Sequence, residues 1–260
     1  MKFPAHHAAL GRVPWRVGCA GWSIPRASAA RFRSGASILA RYATRFDAVE
    51  INSSFYRPHR IDTYRRWADA VPAGFLFSAK VPRSITHDAR LAGVGRLLDE
   101  FLIQVGGLGD ALGGLLVQLP PSLALDRRTA TTFLRMLRAR FDGPVALEPR
   151  HASWFDASAI DLFERYRVAR VGADPAPVME ADTPAGSQKD WRYLRLHGAP
   201  RIYYSDYPAV TLRDRARALR ASTIAVPTWI IFDNTALGHA TANALTLQTL
   251  LRRTRRSAHA

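Results

Sequence analysis

Short runs of apolar and β-branched residues recur along the chain, and stretches with a helical period of about 3.6 separate them. The apolar runs predict eight strands, at Trp15–Trp22, Asp47–Ser53, Phe75–Val81, Gly114–Leu119, Pro144–Arg150, Arg167–Asp174, Trp191–Gly198 and Pro227–Asn234. The intervening pattern predicts helices near Ser37–Phe46, Ile61–Ala70, Arg90–Val105, Asp126–Phe141, Asp156–Tyr166, Leu212–Ala221 and His239–Arg252. A polar, proline-rich loop is predicted at Pro175–Lys189.

This alternation predicts parallel strands, because each helix returns the chain to the same end of the sheet. Eight strand–helix units in 260 residues favour a single α/β domain, a closed (β/α)8 barrel of the TIM type. No glycine-rich dinucleotide fingerprint follows the first strand, which argues against an open Rossmann sheet. We expect one domain over residues 1–260, with an N-terminal extension at about 1–14 and a basic C-terminal tail at about 253–260.

Composition is that of an ordinary globular protein, with 48% hydrophobic and 22% charged residues. The single cysteine, Cys19, excludes an internal disulfide and a cysteine-rich zinc site. The first residues lack the apolar run of a signal peptide, and no apolar stretch is long enough to span a bilayer. We therefore expect a cytoplasmic protein without a membrane partner.

The chain is strongly basic, with 37 basic and 21 acidic residues and a net charge of +16. Such a charge attracts phosphorylated metabolites or nucleic acid. Three of the basic residues are lysines and the other 34 are arginines, a bias that an arginine-favouring genome also explains. Both explanations of the charge stay open from the sequence alone.

Polar side chains end all eight predicted strands, where the active site of a β/α barrel forms. We expect these ends to share one pocket. The predicted catalytic residues are Lys80, Glu50, Glu148 and His197, and the predicted substrate-binding residues are Trp22, Asn52, Tyr56, His87, Gln118, Arg150, Asp174, Arg195, Tyr203, Tyr204, Asp233 and Asn234.

Lys80 stands out because this chain otherwise uses arginine almost throughout. A buried lysine can lose its proton whereas arginine cannot, so Lys80 is a candidate base, Schiff-base nucleophile or phosphate ligand. The alternative is a structural ion pair with Glu50. Carboxylates and imidazoles at the other strand ends supply acid–base groups.

Arg150 and Arg195 predict an anionic ligand, since the guanidinium fork matches phosphate or carboxylate oxygens. The alternative is that Glu148 or Asp233 neutralises these arginines internally. The cations among the carboxylates disfavour a bound divalent metal, and no tight ligand spacing such as HExxH occurs. No cofactor is therefore predicted, and a catalytic metal is the less favoured alternative.

Several segments together resemble one known family, the domain-of-unknown-function family 72 or YecE-like proteins. They read VGCAGWS, FDAVEINSSFYR, PAGFLFSAKVPRSITH, GGLLVQLPPS, ALEPRHASW, YLRLHG and IFDNTALGHATANA, and they extend from about Val17 to Leu251. The resemblance implies a TIM-type barrel and does not imply a particular reaction. Pro149 and Asp233 depart from the family pattern, which favours an aromatic residue and an asparagine at these positions.

Three candidate functions are consistent with the sequence. The first is an enzyme that acts on a phosphorylated or otherwise anionic, sugar-like small molecule. The second is a nucleic-acid-binding protein or lesion-processing nuclease, to which the family has been likened through fold alone. The third is a ligand-binding protein without turnover. The sequence leaves the oligomeric state open.

Overall fold

The computed structural model of the protein describes residues 15–178, 191–222 and 226–252. In that part of the chain, parallel strands alternate with helices, as the sequence predicted. The strands are β1 (Trp15–Cys19), β2 (Ala48–Ile51), β3 (Leu76–Lys80), β4 (Leu112–Gln118), β5 (Val145–Glu148), β6 (Val168–Arg170), β7 (Gly172–Asp174), β8 (Arg192–Leu196) and β9 (Thr228–Phe232). The predicted sixth strand is thus divided at Val171.

The strands form two parallel sheets, whereas the sequence predicted one closed ring of eight strands. One sheet has the order β1-β9-β8-β7 and the other has the order β2-β3-β4-β5-β6. The sheets approach each other at two places. An isolated parallel bridge joins Ala20 to Glu50 beyond the end of β1, and a single residue, Val171, separates β6 from β7.

The helices are α1 (Ile38–Tyr42), α2 (Ser53–Tyr56), α3 (Ile61–Asp69), α4 (Gly95–Val105), α5 (Arg127–Arg138), α6 (Ala157–Arg165), α7 (Ala209–Ala221) and α8 (His239–Arg252). Asp126 caps α5 as predicted, because its carboxylate accepts a hydrogen bond of 2.7 Å from the backbone N–H of Thr129. The helix predicted from Arg90 is wrong at its start. Arg90 and Leu91 have positive φ angles of 48° and 70°, so a regular helix begins only at Gly95.

Two short helical segments were not predicted from the sequence. Residues Ser84–Asp88 form one turn of π-helix after β3, and α2 follows β2 almost directly. The predicted loop at Pro175–Lys189 is described only as far as Val178, and the predicted terminal extensions lie outside the described residues. None of the described helices has the length and apolar content needed to cross a bilayer.

The larger hydrophobic core lies between the strands and the helices, and a smaller cluster draws residues from strands of both sheets. Its largest members are Trp191, Tyr193 and Trp229, with ring centroids 4.7 to 6.0 Å apart. Gly113 and Gly114 in β4 make room for them, since a Cβ at either position would lie within 2.8 Å of a tryptophan ring. The aromatic rings therefore fill the space among the strands below the polar strand ends.

Candidate functional site

Successive side chains of a strand point to opposite faces, so residues two apart share a face and lie in successive layers along the strand. In β8 and the residue after it, Tyr193, Arg195 and His197 share a face, and all three are buried. Tyr193 belongs to the aromatic cluster, and its hydroxyl donates to Glu50 Oε2 at 2.9 Å. A layer of charged residues therefore lies directly above the aromatic rings.

Arg195 is the centre of the charged layer, and its side chain is 0% exposed. It donates to both carboxylate oxygens of Glu50, at 2.7 and 3.0 Å. It also donates to Glu148 at 2.6 Å and to Asp233 at 2.9 Å. Burial disfavours the charged guanidinium, but the three carboxylates outweigh this effect and raise its pKa.

His197 bridges two of the same carboxylates. Its Nδ1 lies 3.1 Å from Asp233 Oδ2 and its Nε2 lies 3.0 Å from Glu148 Oε1. Burial alone lowers the pKa of this imidazole, yet Glu148 and Asp233 outweigh burial and raise the pKa above its usual value. A protonated ring donates from both nitrogens, which suits this position between two acceptors.

Above this layer lies a cavity of about 320 Å³ at the carboxyl ends of the strands. It is lined by Asn52, Phe55, Tyr56, Lys80, Arg83, His87, Gln118, Leu119, Pro121, Arg150, Tyr203, Asp233 and Thr235. Eight of the predicted site residues are among them: Asn52, Tyr56, Lys80, His87, Gln118, Arg150, Tyr203 and Asp233.

Lys80 lies in the wall of the cavity and is only 4% exposed. Its Nζ donates to Asn52 Oδ1 at 3.1 Å and lies 4.2 Å from the centroid of the Phe55 ring. The ion pair with Glu50, which was the alternative to a functional role, is not found, and Glu50 is bound to Arg195 instead. Burial, with a smaller contribution from Arg195, lowers the pKa of Lys80 to about 8.

Arg150 follows β5, two strands along the sheet from the strand that carries Lys80, and also lines the cavity. Its Nε and Nη2 donate to Glu148 Oε1 at 3.2 and 3.0 Å, and Nη2 also reaches the Tyr203 hydroxyl at 3.3 Å. In the described part of the chain, no hydrogen-bond partner is found for its Nη1. One edge of this guanidinium can therefore bind a ligand while the other edge stays fixed to Glu148.

Arg83 and His87 form the rim beside β3. Arg83 pairs with Asp88 at 3.1 Å and remains about half exposed. Burial lowers the pKa of His87, and Lys80 and Arg83 lower it further. The His87 ring is therefore neutral near pH 7 and can donate one hydrogen bond to a ligand.

Four predicted catalytic or binding residues lie in the charged layer beneath the cavity rather than on its wall. These are Glu50, Glu148, Arg195 and His197. The sequence left an internal ion pair as the alternative to ligand binding by Arg195. The structure contains that ion pair, because Arg195 donates to buried carboxylates. Four others lie elsewhere: Trp22, Asp174, Tyr204 and Asn234.

Each of these last four has a partner away from the cavity. Trp22 packs edge-on against the Trp67 ring, and Asp174 pairs with Arg215 of α7. Tyr204 lies under the Arg201 guanidinium, 4.0 Å from its ring centroid. The buried amide of Asn234 donates to the Ser205 carbonyl and to Asn243 Oδ1. These contacts position the loops around the mouth of the cavity.

Some site residues were not predicted from the sequence: Arg83, Thr235, Leu119 and Pro121 in the lining, and Ser78 and Tyr193 beneath it. Ser78 precedes Lys80 by two residues, and Tyr193 precedes Arg195 by two residues. Residues two apart in a strand share a face, so this spacing could have predicted that both belong to the site. Arg83 follows its strand by three residues in an irregular segment, where sequence spacing does not fix the side-chain direction.

Comparisons with known proteins identify the family. Residues 16–260 match the family described as "Protein of unknown function DUF72". UPF0759 protein YecE of Escherichia coli K12 is 30% identical over 140 residues, which cover 54% of this chain and 49% of that protein. The match thus spans about half the length of the curated relative.

Two solved structures share the fold. A DUF72 family protein from Enterococcus faecalis V583 superposes with a TM-score of 0.75 at 23% identity, over 91% of this chain and 95% of the other. One from Thermotoga maritima MSB8 gives the same TM-score at 22% identity, over 91% and 98%. The chain therefore belongs to the DUF72 family, whose YecE-like proteins the strand-end motifs resemble.

Proposed function

We propose that the protein is an enzyme that binds a small phosphorylated or otherwise anionic, sugar-like substrate in the strand-end cavity. The observation that carries this proposal is the charge of the lining: Lys80, Arg83 and Arg150 line one cavity, whereas Asp233 is its only carboxylate among the described residues. The volume of about 320 Å³ falls at the small end of the range for ligand pockets.

The charged layer supports this interpretation. Asp233 is bound to Arg195 and His197, so its charge is already compensated from below. Lys80 forms no direct ion pair with a carboxylate of the described residues, and Arg150 shares its carboxylate Glu148 with Arg195 and His197. The cavity wall therefore has an excess of positive charge, which a phosphate or carboxylate group neutralises.

Lys80 is the group we assign to chemistry. With a pKa of about 8, its amine is neutral in about one molecule in ten at pH 7 and is protonated in the rest. A group that exists in both forms near neutral pH can accept or donate a proton during turnover. The amides of Asn52 and Gln118 lie in the same lining and can orient substrate hydroxyl groups.

The test is ligand binding by an Arg150→Met variant. We expect wild-type protein to bind a sugar phosphate, measured by calorimetry, and R150M to lose roughly ten-fold or more in affinity. Arg96→Met is the matched control, because it removes the same charge from an arginine of α4 that is 87% exposed. Equal affinities of R150M and R96M would contradict the assignment of Arg150, and absence of binding to wild type would contradict the proposal itself.

We also infer that the two sheets act as one closed barrel. Gly21 N–H donates to the Glu50 carbonyl at 2.8 Å beside the Ala20–Glu50 bridge, and Val171 N–H donates to the Leu147 carbonyl at 2.9 Å. The first bond joins the two sheets, and the second ties Val171, which links β6 to β7 of the other sheet, to β5. A crystal structure tests this inference, and a solvent-filled gap between β1 and β2 would contradict it.

A second candidate is nucleic-acid binding, favoured by exposed arginines on the loops that follow two of the strands. Arg57, Arg60, Arg83 and Arg90 lie on the loops that follow β2 and β3. Phosphate contacts by these residues make binding fall steeply with salt. Gel shifts with single-stranded and duplex DNA at two salt concentrations test this function, and absence of a shift at low salt rejects it.

A further inference from the structure

We propose that Lys80 is a nucleophile that forms an imine with the carbonyl carbon of a small anionic aldehyde or ketone bound in the cavity. This inference rests on the proposed function, because the anionic group of the ligand holds the carbonyl near the amine. It specifies the substrate class further: a molecule with both a carbonyl and a phosphate or carboxylate group.

The surroundings of the amine carry the proposal. Lys80 lines the cavity, and the neighbours of its Nζ are the Asn52 amide oxygen at 3.1 Å and the Phe55 ring at 4.2 Å. No carboxylate of the described residues forms an ion pair with it. The nearby carboxylates are instead bound by Arg195. An amine held in this way can release its proton and direct its lone pair at a ligand.

Burial and the nearby Arg195 charge both disfavour the protonated amine. The pKa of about 8 that follows leaves a reactive neutral fraction at physiological pH, as in lysines that form Schiff bases. Asn52 fixes the direction of the side chain without neutralising it, since an amide oxygen carries no net charge. The Ser54 hydroxyl also donates to the Lys80 carbonyl at 2.7 Å, which holds the end of β3 in place.

The condensation is balanced and needs no oxidant or reductant. The Nζ lone pair forms a bond to the carbonyl carbon, the carbonyl π electrons move to oxygen, and nitrogen loses a proton while oxygen gains one. The resulting hydroxyl group then takes a second proton and leaves as water as the C=N bond forms. The Tyr203 hydroxyl and the His87 imidazole line the same cavity and can carry these protons.

The position of the cations favours an anion beside the carbonyl. Arg83 lies at the rim beside the neutral His87 ring, and Arg150 has one guanidinium edge available to a ligand. Lys80 is more deeply buried than Arg83, since it is only 4% exposed. A ligand whose anionic group is bound by the rim therefore places its carbonyl carbon toward Lys80.

Reductive trapping tests the proposal. The protein is incubated with dihydroxyacetone phosphate, glycolaldehyde phosphate or pyruvate in the presence of cyanoborohydride, and the adduct is located by mass spectrometry. Neutral dihydroxyacetone is the control ligand. The chain has only three lysines, so a Lys2→Met/Lys189→Met variant retains Lys80 as its single lysine.

We expect at least one anionic probe to give a single adduct on Lys80, in wild type and in the double variant, and roughly ten-fold slower labelling by the neutral ligand. Lys80→Met, checked for folding by thermal unfolding, should give no adduct at that peptide. The labelling rate should rise with pH to a plateau above about pH 8.

The outcomes separate the imine from the proposed function. Calorimetric binding of a phosphorylated probe without any adduct on Lys80 overturns the imine and leaves the anion site standing. Absence of both binding and labelling overturns both proposals. Equal labelling of Lys2, Lys189 and Lys80 would show nonspecific reaction and also overturns the assignment.

Discussion

Replacing Lys80 with methionine should make the protein more stable at pH 7, although it removes a residue that we assign to the active site. Burial lowers the pKa of Lys80 from 10.5 to about 8, so keeping the amine protonated costs the folded state about 3 kcal/mol. Methionine has a similar shape and carries no charge. The substitution leaves Asn52 Oδ1 without its donor, a loss of about 1 kcal/mol.

The net expectation is a gain of about 2 kcal/mol in the free energy of unfolding, or about 4 °C in Tm for a chain of this size. The gain should depend on pH in a definite direction. The folded protein holds the Lys80 proton less tightly than the unfolded chain does, so unfolding takes up a proton between about pH 8 and pH 10.5. Wild-type stability recovers in that window, and the advantage of K80M disappears.

Urea unfolding of wild type and K80M at pH 7 and pH 10 measures both effects. Arg96→Met serves as the control, since it removes one positive charge from an exposed position and should change stability by less than about 0.5 kcal/mol. A K80M protein less stable than wild type at pH 7 would refute the reasoning. So would an advantage that is unchanged at pH 10.

Three further predictions concern the buried network and the strands. Arg195→Met should lower the free energy of unfolding by about 3–5 kcal/mol, because it leaves buried carboxylates unpaired. Adding Glu50→Gln should restore part of that loss in urea unfolding, and no recovery would contradict the charge argument. Gly18→Ala places a Cβ 2.3 Å from the Ala48 carbonyl oxygen and should lower Tm in thermal unfolding, whereas an unchanged Tm would contradict this close contact. Burial raises the pKa of Glu148, but Arg195, His197 and Arg150 together outweigh burial and hold the pKa well below its usual value. Wild-type stability should therefore be lost as pH falls below about 4.5, and Glu148→Gln should show a smaller loss between pH 7 and pH 4.

The sequence predicted the cavity best where a side chain ends a strand. Lys80, Asn52 and Gln118 all reach the lining, because parallel strands bring their carboxyl ends to one side. It did not predict how deep each side chain lies. Arg195 and Lys80 both end a predicted strand, yet Arg195 lies in the layer below, since depth depends on the register between strands.

Irregular backbone accounts for the other differences. The helix expected from Arg90 fits the apolar spacing, but the positive φ of Leu91 delays its start, and such a conformation is uncommon for a branched residue. Asp174 ends a strand as expected, but its partner Arg215 comes from a helix distant in sequence and turns it away from the cavity. Sequence spacing carries no information on such a long-range pair.

The aromatic cluster beneath the charged layer gives the cavity a floor. Trp191, Tyr193 and Trp229 fill the interior on the side of the charged layer that faces away from the mouth, and each is at most 3% exposed. Among the described residues these rings close the side of the cavity opposite its mouth. Under the proposed function, a product would have to leave through that mouth before another substrate binds, and a polymer would reach Lys80 only through a terminus or a single protruding unit.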